Sequence, residues 1–285
     1  MNHINGISDA NTIAEQFLCH FSRACSYNTV SGAAKLKAMY DAKRPHYVGA
    51  ATDNSFHFGA ELVETVINRM KLGKTAGLDG LTAKHLHYCN SILPRVLSKL
   101  FNCMMAIGRV PTSFGQSYTV PILKTTVNAY RKSVSVDDFR GISISLVIAK
   151  VFEHCIFDRY GGFLLSSDNQ FGFKKKSSCT HAIYTLRSVV DYYVNNGSTV
   201  NICALDISKA FDKMNHHGLF LKLMQKQIPL KLLCTLENWF KLCSTCIKWG
   251  SVVSRVFSVD CGVRQGGVLS PYLFALYIDS IVDKS

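Results

Sequence analysis

The 285-residue sequence predicts an α+β protein, rich in helices and carrying a small antiparallel sheet. Three observations lead there. Apolar side chains recur every three or four residues along several stretches, the period of a helix with one buried face. Short apolar runs bounded by turn residues come in neighbouring pairs, as hairpin strands do. Hydrophobic residues make up 48% of the chain against 18% charged, enough for a sizeable core and, at this length, about two lobes.

Taken in order, Ile13, Ala14, Phe17, Leu18 and Phe21 form the first helical stripe. The stretch from Cys25 to Asn54 is polar, without a clear period, and reads as a linker. Leu62, Val63, Val66, Ile67 and Met70 make a second amphipathic helix. Leu93, Val96, Leu97, Leu100, Phe101 and Met104 make a third, closed by Gly108 as a C-cap. Tyr118–Lys124 and Asp138–Leu146 read as paired strands, followed by a helix carrying Ile148, Val151, Phe152 and Cys155. A further helix carries Ile183, Leu186, Val190 and Tyr193. Val200 to Leu205 is apolar on both alternating faces and predicts a buried central strand that ends by presenting Asp206. Asn215 caps a helix bearing Leu219, Phe220, Leu223 and Met224, and Pro229 separates it from another that runs to Phe240. Cys243–Gly250 and Arg255–Cys261 read as a hairpin, and an apolar helix begins at Pro271.

The net charge of +13 and pI of about 9.2 point to a polyanionic partner. The first residues lack the basic and apolar regions of a signal peptide, so the eleven scattered cysteines read as reduced thiols of an intracellular protein, nuclear or cytoplasmic and not secreted. No apolar run is long enough to cross a membrane. Gly73-Lys74-Thr75 resembles the end of a phosphate-binding P-loop. That motif needs a glycine five positions earlier, where Asn68 stands, and a preceding strand rather than a helix. Cys243 and Cys246 form a lone CxxC, with no second pair at zinc spacing.

The chemistry concentrates in two strings. In Val200-Asn-Ile-Cys-Ala-Leu-Asp-Ile-Ser-Lys-Ala-Phe-Asp212, a carboxylate at the mouth of an apolar strand must be ionised and paired, and a divalent metal is its usual partner. Further on lies Gly262-Val-Arg-Gln-Gly-Gly-Val-Leu-Ser-Pro271, a glycine-rich loop running into a helix. Together they resemble motifs A and B of the reverse transcriptases of non-LTR (LINE-type) retrotransposons. Three more strings agree with that family. Lys71-Leu-Gly-Lys-Thr-Ala-Gly-Leu-Asp-Gly80 is similar to the box that opens its fingers. Phe139-Arg-Gly-Ile-Ser resembles Tyr-Arg-Pro-Ile-Ser, with Gly141 in place of proline. Gln170-Phe-Gly-Phe-Lys-Lys-Lys resembles Gln-x-Gly-Phe-Arg-x-Gly, with Lys174 for arginine and Lys176 for glycine.

The resemblance implies a right-hand polymerase fold, with fingers and a partial palm. Residues 1–55 would precede the polymerase, 56–195 would form fingers and the start of the palm, and 196–285 the palm with both motifs. It implies an RNA-directed DNA polymerase that uses an RNA template, a DNA primer, deoxynucleoside triphosphates and two Mg²⁺ ions. Asp206 and the Ile207 carbonyl would hold metal. Arg140 and Lys150 would face the triphosphate, as Lys124 also could. Phe211 would act as a steric gate against a ribose 2′-hydroxyl, and Gln265 and Gly266 would touch the nascent base pair. Lys174, Lys175 and Lys176 would contact backbone phosphates. The family's Tyr-x-Asp-Asp hairpin has no counterpart in the sequence, and Asp279 and Asp283 are poor substitutes for it. The chain thus reads as a fragment truncated before that motif. The alternative is a catalytically inactive nucleic-acid-binding remnant.

Overall fold

A computed structural model describes residues 4–27, 29–53, 56–124, 134–174 and 177–282. Helix α1 (Ala10–Ala24) is capped by the Asp9 carboxylate, which accepts from the Thr12 N–H at 2.7 Å. α2 spans Val30–Lys43, α3 Ala60–Arg69, α4 Ala83–His87, α5 Leu93–Ile107 and α6 Thr112–Gly115. Strands β1 (Gln116–Leu123) and β2 (Phe139–Ser145) follow, then α7 (Val147–Tyr160) and α8 (Cys179–Asn195). A short 3₁₀ turn at Ala210–Lys213 precedes α9 (His216–Gln225) and α10 (Leu230–Lys241). Strands β3 (Ser244–Trp249), β4 (Val252–Val253) and β5 (Phe257–Ser258) lead to α11 (Ser270–Val282).

The sheet is mixed, not antiparallel as predicted. β1 lies between β2, antiparallel with Tyr118 opposite Ile144, and β3, parallel with Tyr118 opposite Cys246. β4 and β5 pair with β3. Pro121 sits past the last residue of β1 that pairs with β3, so its missing N–H removes no bond on that side. Gly141, opposite Pro121, has a specific role: a Cβ there would lie 2.7 Å from the Thr119 methyl and 3.2 Å from the Phe21 ring. α1 covers the sheet through a small core in which Phe17 packs edge-on to Phe139 and beside Trp249. The main core joins α3, α5, α7, α9, α10 and α11, with Phe152 stacked on Trp239 at 5.5 Å.

Two expectations are overturned. The stretch read as a linker contains α2, and its Tyr40 hydroxyl and the guanidinium of Arg44 just beyond its end both bond the Glu237 carboxylate of α10 at 2.7 Å. The residues from Val200 to Leu205 form no strand but an exposed coil, with Ile202 60% and Leu205 87% exposed. A strand needs an edge to pair with. Both edges of β1 are taken, and on β2 the Ser143 N–H is already bonded to the glycine loop. α8 is helical where expected, but none of its residues is buried.

Candidate active site

Three segments that are distant in sequence are tied together by backbone hydrogen bonds. The Gly262 N–H donates to the Met214 carbonyl at 2.7 Å, and the Val263 N–H to the Phe211 carbonyl at 2.8 Å. On the other side the Ser143 N–H of β2 donates to the Gln265 carbonyl at 2.8 Å. The glycine loop therefore bridges the turn after Asp206 and the strand that carries Arg140. Two glycines make this approach possible. Gly262 has φ +89°, and a Cβ on it would stand 2.7 Å from the Phe211 and Asp212 carbonyl oxygens. Gly266 has φ +123°, and a Cβ there would stand 2.6 Å from the Ser143 carbonyl oxygen.

The back of the loop is anchored by side chains that sequence reasoning left unassigned. Arg264 donates to the Phe114 carbonyl at 3.1 Å and lies over the Trp239 ring. The buried His216 imidazole meets the Gly262 carbonyl at 2.8 Å, and its pKa is lowered, first by desolvation. Glu153, only 3% exposed, accepts from the Leu269 N–H at 2.8 Å. An acid set among Val151, Phe152, Cys155 and Ile156 on one helical stripe was the available signal for Glu153.

The Gln265 amide donates to the Asp212 carboxylate at 3.3 Å. Burial raises the Asp212 pKa, while the Gln265 bond and the charges of Lys209 and Lys213 work against the rise. This carboxylate faces a cavity of about 40 Å³ lined also by Thr119, Ser143 and Thr245, whose hydroxyls form a chain across β2, β1 and β3. Phe211 is half-buried, stacked on Phe274 at 4.7 Å with Phe173 edge-on at 5.7 Å. Lys209, at φ +52°, turns the chain between Asp206 and this anchored segment.

The other predicted residues are dispersed. Asp206 and Ile207 lie on the exposed coil. Arg140 is exposed on β2 opposite Ile122, and exposed Lys124 donates to the Asp137 carbonyl. Lys150 is half-buried on α7, and its pKa is lowered, chiefly by desolvation. The Lys174 ammonium is held by the Ser167 carbonyl and by Asp168 at 3.3 Å. Lys175 and Lys176 lie outside the described residues, as does Asp283. Asp279 is buried and accepts from the Ser167 N–H and hydroxyl at 2.8 and 2.9 Å. Among the described residues no three His, Cys, Asp or Glu side chains gather where a metal ion could bind. Nor is any described helix long and apolar enough to cross a membrane.

Comparison with known proteins accounts for the linked motifs. Residues 123–284, more than half of the chain, match the family model described as "Reverse transcriptase (RNA-dependent DNA polymerase)". The chain is 26% identical over 215 residues, 75% of its length and 20% of the relative's, to the "Retrovirus-related Pol polyprotein from type-2 retrotransposable element R2DM" of Drosophila melanogaster. It is 32% identical over 146 residues, 49% of its length and 16% of the relative's, to the "Probable RNA-directed DNA polymerase from transposon X-element" of the same species. To the "RNA-directed DNA polymerase from mobile element jockey" of Drosophila funebris it is 23% identical over 225 residues, 76% and 24% of the two lengths. The chain thus spans about a fifth of the length of these relatives. With the family match extending over β2 and both motif strings, the chain belongs to the reverse transcriptase (RNA-dependent DNA polymerase) family.

Proposed function

We propose that this chain is the part of a non-LTR retrotransposon polyprotein that builds the nucleotide site of an RNA-directed DNA polymerase, with residues 56–195 as fingers and start of the palm and 196–285 as palm. The observation that carries this reading is the glycine loop bonded at once to the Phe211–Met214 turn and to Ser143. Nucleotide addition to a primer 3′-hydroxyl depends on holding base, sugar and phosphates in one geometry. Gly262 and Gly266 let the loop pack directly on the Phe211–Asp212 and Ser143 backbone, and Arg140 offers a planar fork suited to phosphate oxygens. Phe211 is the proposed discriminator against a 2′-hydroxyl, and Gln265 and Gly266 the proposed contacts of the nascent pair.

The Mg²⁺ ions that the family implies need about three carboxylates, and the described residues do not supply such a cluster. Asp206 and the Ile207 carbonyl are the share of that site we assign to this chain. The test uses a protein of the relatives' full length that contains this chain, with an RNA template, an annealed DNA primer and deoxynucleoside triphosphates. Primer extension that disappears in Asp206→Asn supports the reading, and extension at the unmodified rate in that variant overturns it. The exposed Asp206, part of no cluster of three metal-ligating side chains among the described residues, favours a second reading, a nucleic-acid-binding remnant. That reading predicts salt-sensitive RNA binding with no synthesis at any length.

A further inference from the structure

Helix α8 stands apart from both apolar cores: none of its residues is buried, and none belongs to either core. Among the described residues, the hydrogen bonds, the ion pair and the ring contact made by its side chains all fall between Ser178 and Asn196. Its sequence is rich in valine, threonine and tyrosine, which favour a helix only weakly because they lose side-chain freedom in it. An isolated helix of 17 residues is marginal in water even when built from better formers. α8 therefore calls for packing that the described parts of its own chain do not supply.

The face that would pack is defined by spacing. Ile183, Leu186, Val190 and Tyr193 recur at steps of three, four and three, the seam of a two-helix coil, with Ile183 66% and Tyr193 49% exposed. Charge narrows the choice of occupant. α8 carries one arginine and one aspartate, so it is neutral within a chain of net charge +13 and offers no particular attraction to a polyanion. Arg187 and Asp191 lie four residues apart on the same edge of the seam, 3.6 Å from each other and largely exposed. That edge complements itself in an antiparallel pair. With a two-fold axis at the level of Ser188, Ile183 faces Tyr193 of the second copy, and Leu186 faces its Val190. The like edges of the two helices then meet, and Arg187 stands within about 3 Å, measured along the helix axis, of Asp191 of the second copy. The symmetry makes this contact twice. A parallel pair would instead place the two charged edges on opposite sides of the dimer.

We propose that α8 is a self-association surface through which two copies of this chain pair antiparallel, with the apolar seam inside and two Arg187–Asp191 bridges across it. This does not depend on the polymerase reading. The helix is about 25 Å long, so the pair buries less than the roughly 1,600 Å² of a standard interface and forms a reversible dimer.

Sedimentation equilibrium of the 285-residue chain at micromolar concentration should show a species of twice the 31.7 kDa chain mass in exchange with the monomer. Arg187→Asp sets acid against acid across the two-fold axis, and Asp191→Arg sets base against base. Each variant alone should therefore dimerise about 10-fold or more weakly. Both side chains are exposed, and circular dichroism checks that each variant keeps its fold. In an equimolar mixture of the two variants every facing pair is again opposite in charge, so the dimer should return at close to the unmodified affinity. Neither a lost fold nor a generally adhesive surface gives that restoration. A monomeric unmodified chain, which would leave α8 to a different occupant, overturns the proposal. So do variants that dimerise like the unmodified chain, and so does a mixture that associates no more tightly than its components.

Discussion

Replacing His216 by phenylalanine tests how the glycine loop is held. In the native chain the imidazole bonds the Gly262 carbonyl at 2.8 Å and packs edge-on to Phe240 at 4.7 Å. Phenylalanine keeps the ring contact and removes the bond. The buried carbonyl then lacks its side-chain partner, a loss of about 1–3 kcal/mol. The effect should depend on pH, with a sign fixed by the lowered pKa of His216. Desolvation is the main cause, helped by His217 and opposed by the Gly262 bond and Asp260. The folded state resists protonation that the unfolded chain accepts below its ordinary value of 6.5. Stability is therefore undiminished above that value and falls as the pH drops below it. One such proton can take away at most about 1.4 kcal/mol over the first pH unit below 6.5.

The phenylalanine variant has no proton to gain at this position. Urea unfolding of both proteins should show a stability gap near pH 7.5 that narrows toward pH 5.5, by no more than that bound. His20, His154 and His217, lowered in the same direction, acidify both proteins alike and cancel in the difference. A gap equal at the two pH values would refute the idea that His216 is held neutral under the loop.

Gly262→Ala should be more damaging than an average surface change. It combines a left-handed backbone with a Cβ 2.7 Å from two carbonyl oxygens, and should lower stability by about 2–4 kcal/mol in a urea melt. Asp212→Asn should do the opposite near pH 7. Burial raises the Asp212 pKa, so the charged form weakens the fold above the folded value, and the gain from asparagine should fade as the pH falls toward the unfolded value of 3.8. Phe211→Ala removes a half-buried ring stacked on Phe274, which should lower stability by about 1–3 kcal/mol. In a full-length polymerase it should also raise the ratio of ribo- to deoxynucleotide incorporation. An unchanged ratio with a lowered melting temperature would leave that ring a packing residue only.

What could be read from the sequence was whatever a local pattern encodes. The stripes of α1, α3 and α5, the Asn215 cap of α9 and the β1–β2 pairing were legible because each repeats its signal within a few residues. α2 was not, because its apolar residues follow no single stripe and none is buried. It docks through Tyr40 and, just beyond its end, Arg44 instead. The run from Val200 to Leu205 misled for the converse reason: its pattern suits a buried strand, but pairing depends on an edge supplied elsewhere. At the site, glycine-rich composition marked the loop correctly. Its partners were invisible because they are backbone groups, the Phe211 and Met214 carbonyls and the Ser143 N–H, that every sequence contains.

These bonds divide the site into a fixed half and a conditional half. Arg264, His216 and Glu153 lock the loop from behind, and Gln265 passes that order to Asp212. Asp206 receives none of it. Between the acid and the anchored turn stand Ile207, Ser208 and Lys209, and before it stand Ile202 and Leu205, the apolar ones exposed to water. Leaving side chains of that size in water forgoes about 1.5–3 kcal/mol each relative to burial. Whatever surface covers them would therefore gain several kcal/mol and, by fixing the coil, would fix the carboxylate as well. The position of Asp206 would thus be set by whatever surface buries its apolar neighbours, whereas that of the glycine loop is set by hydrogen bonds already made.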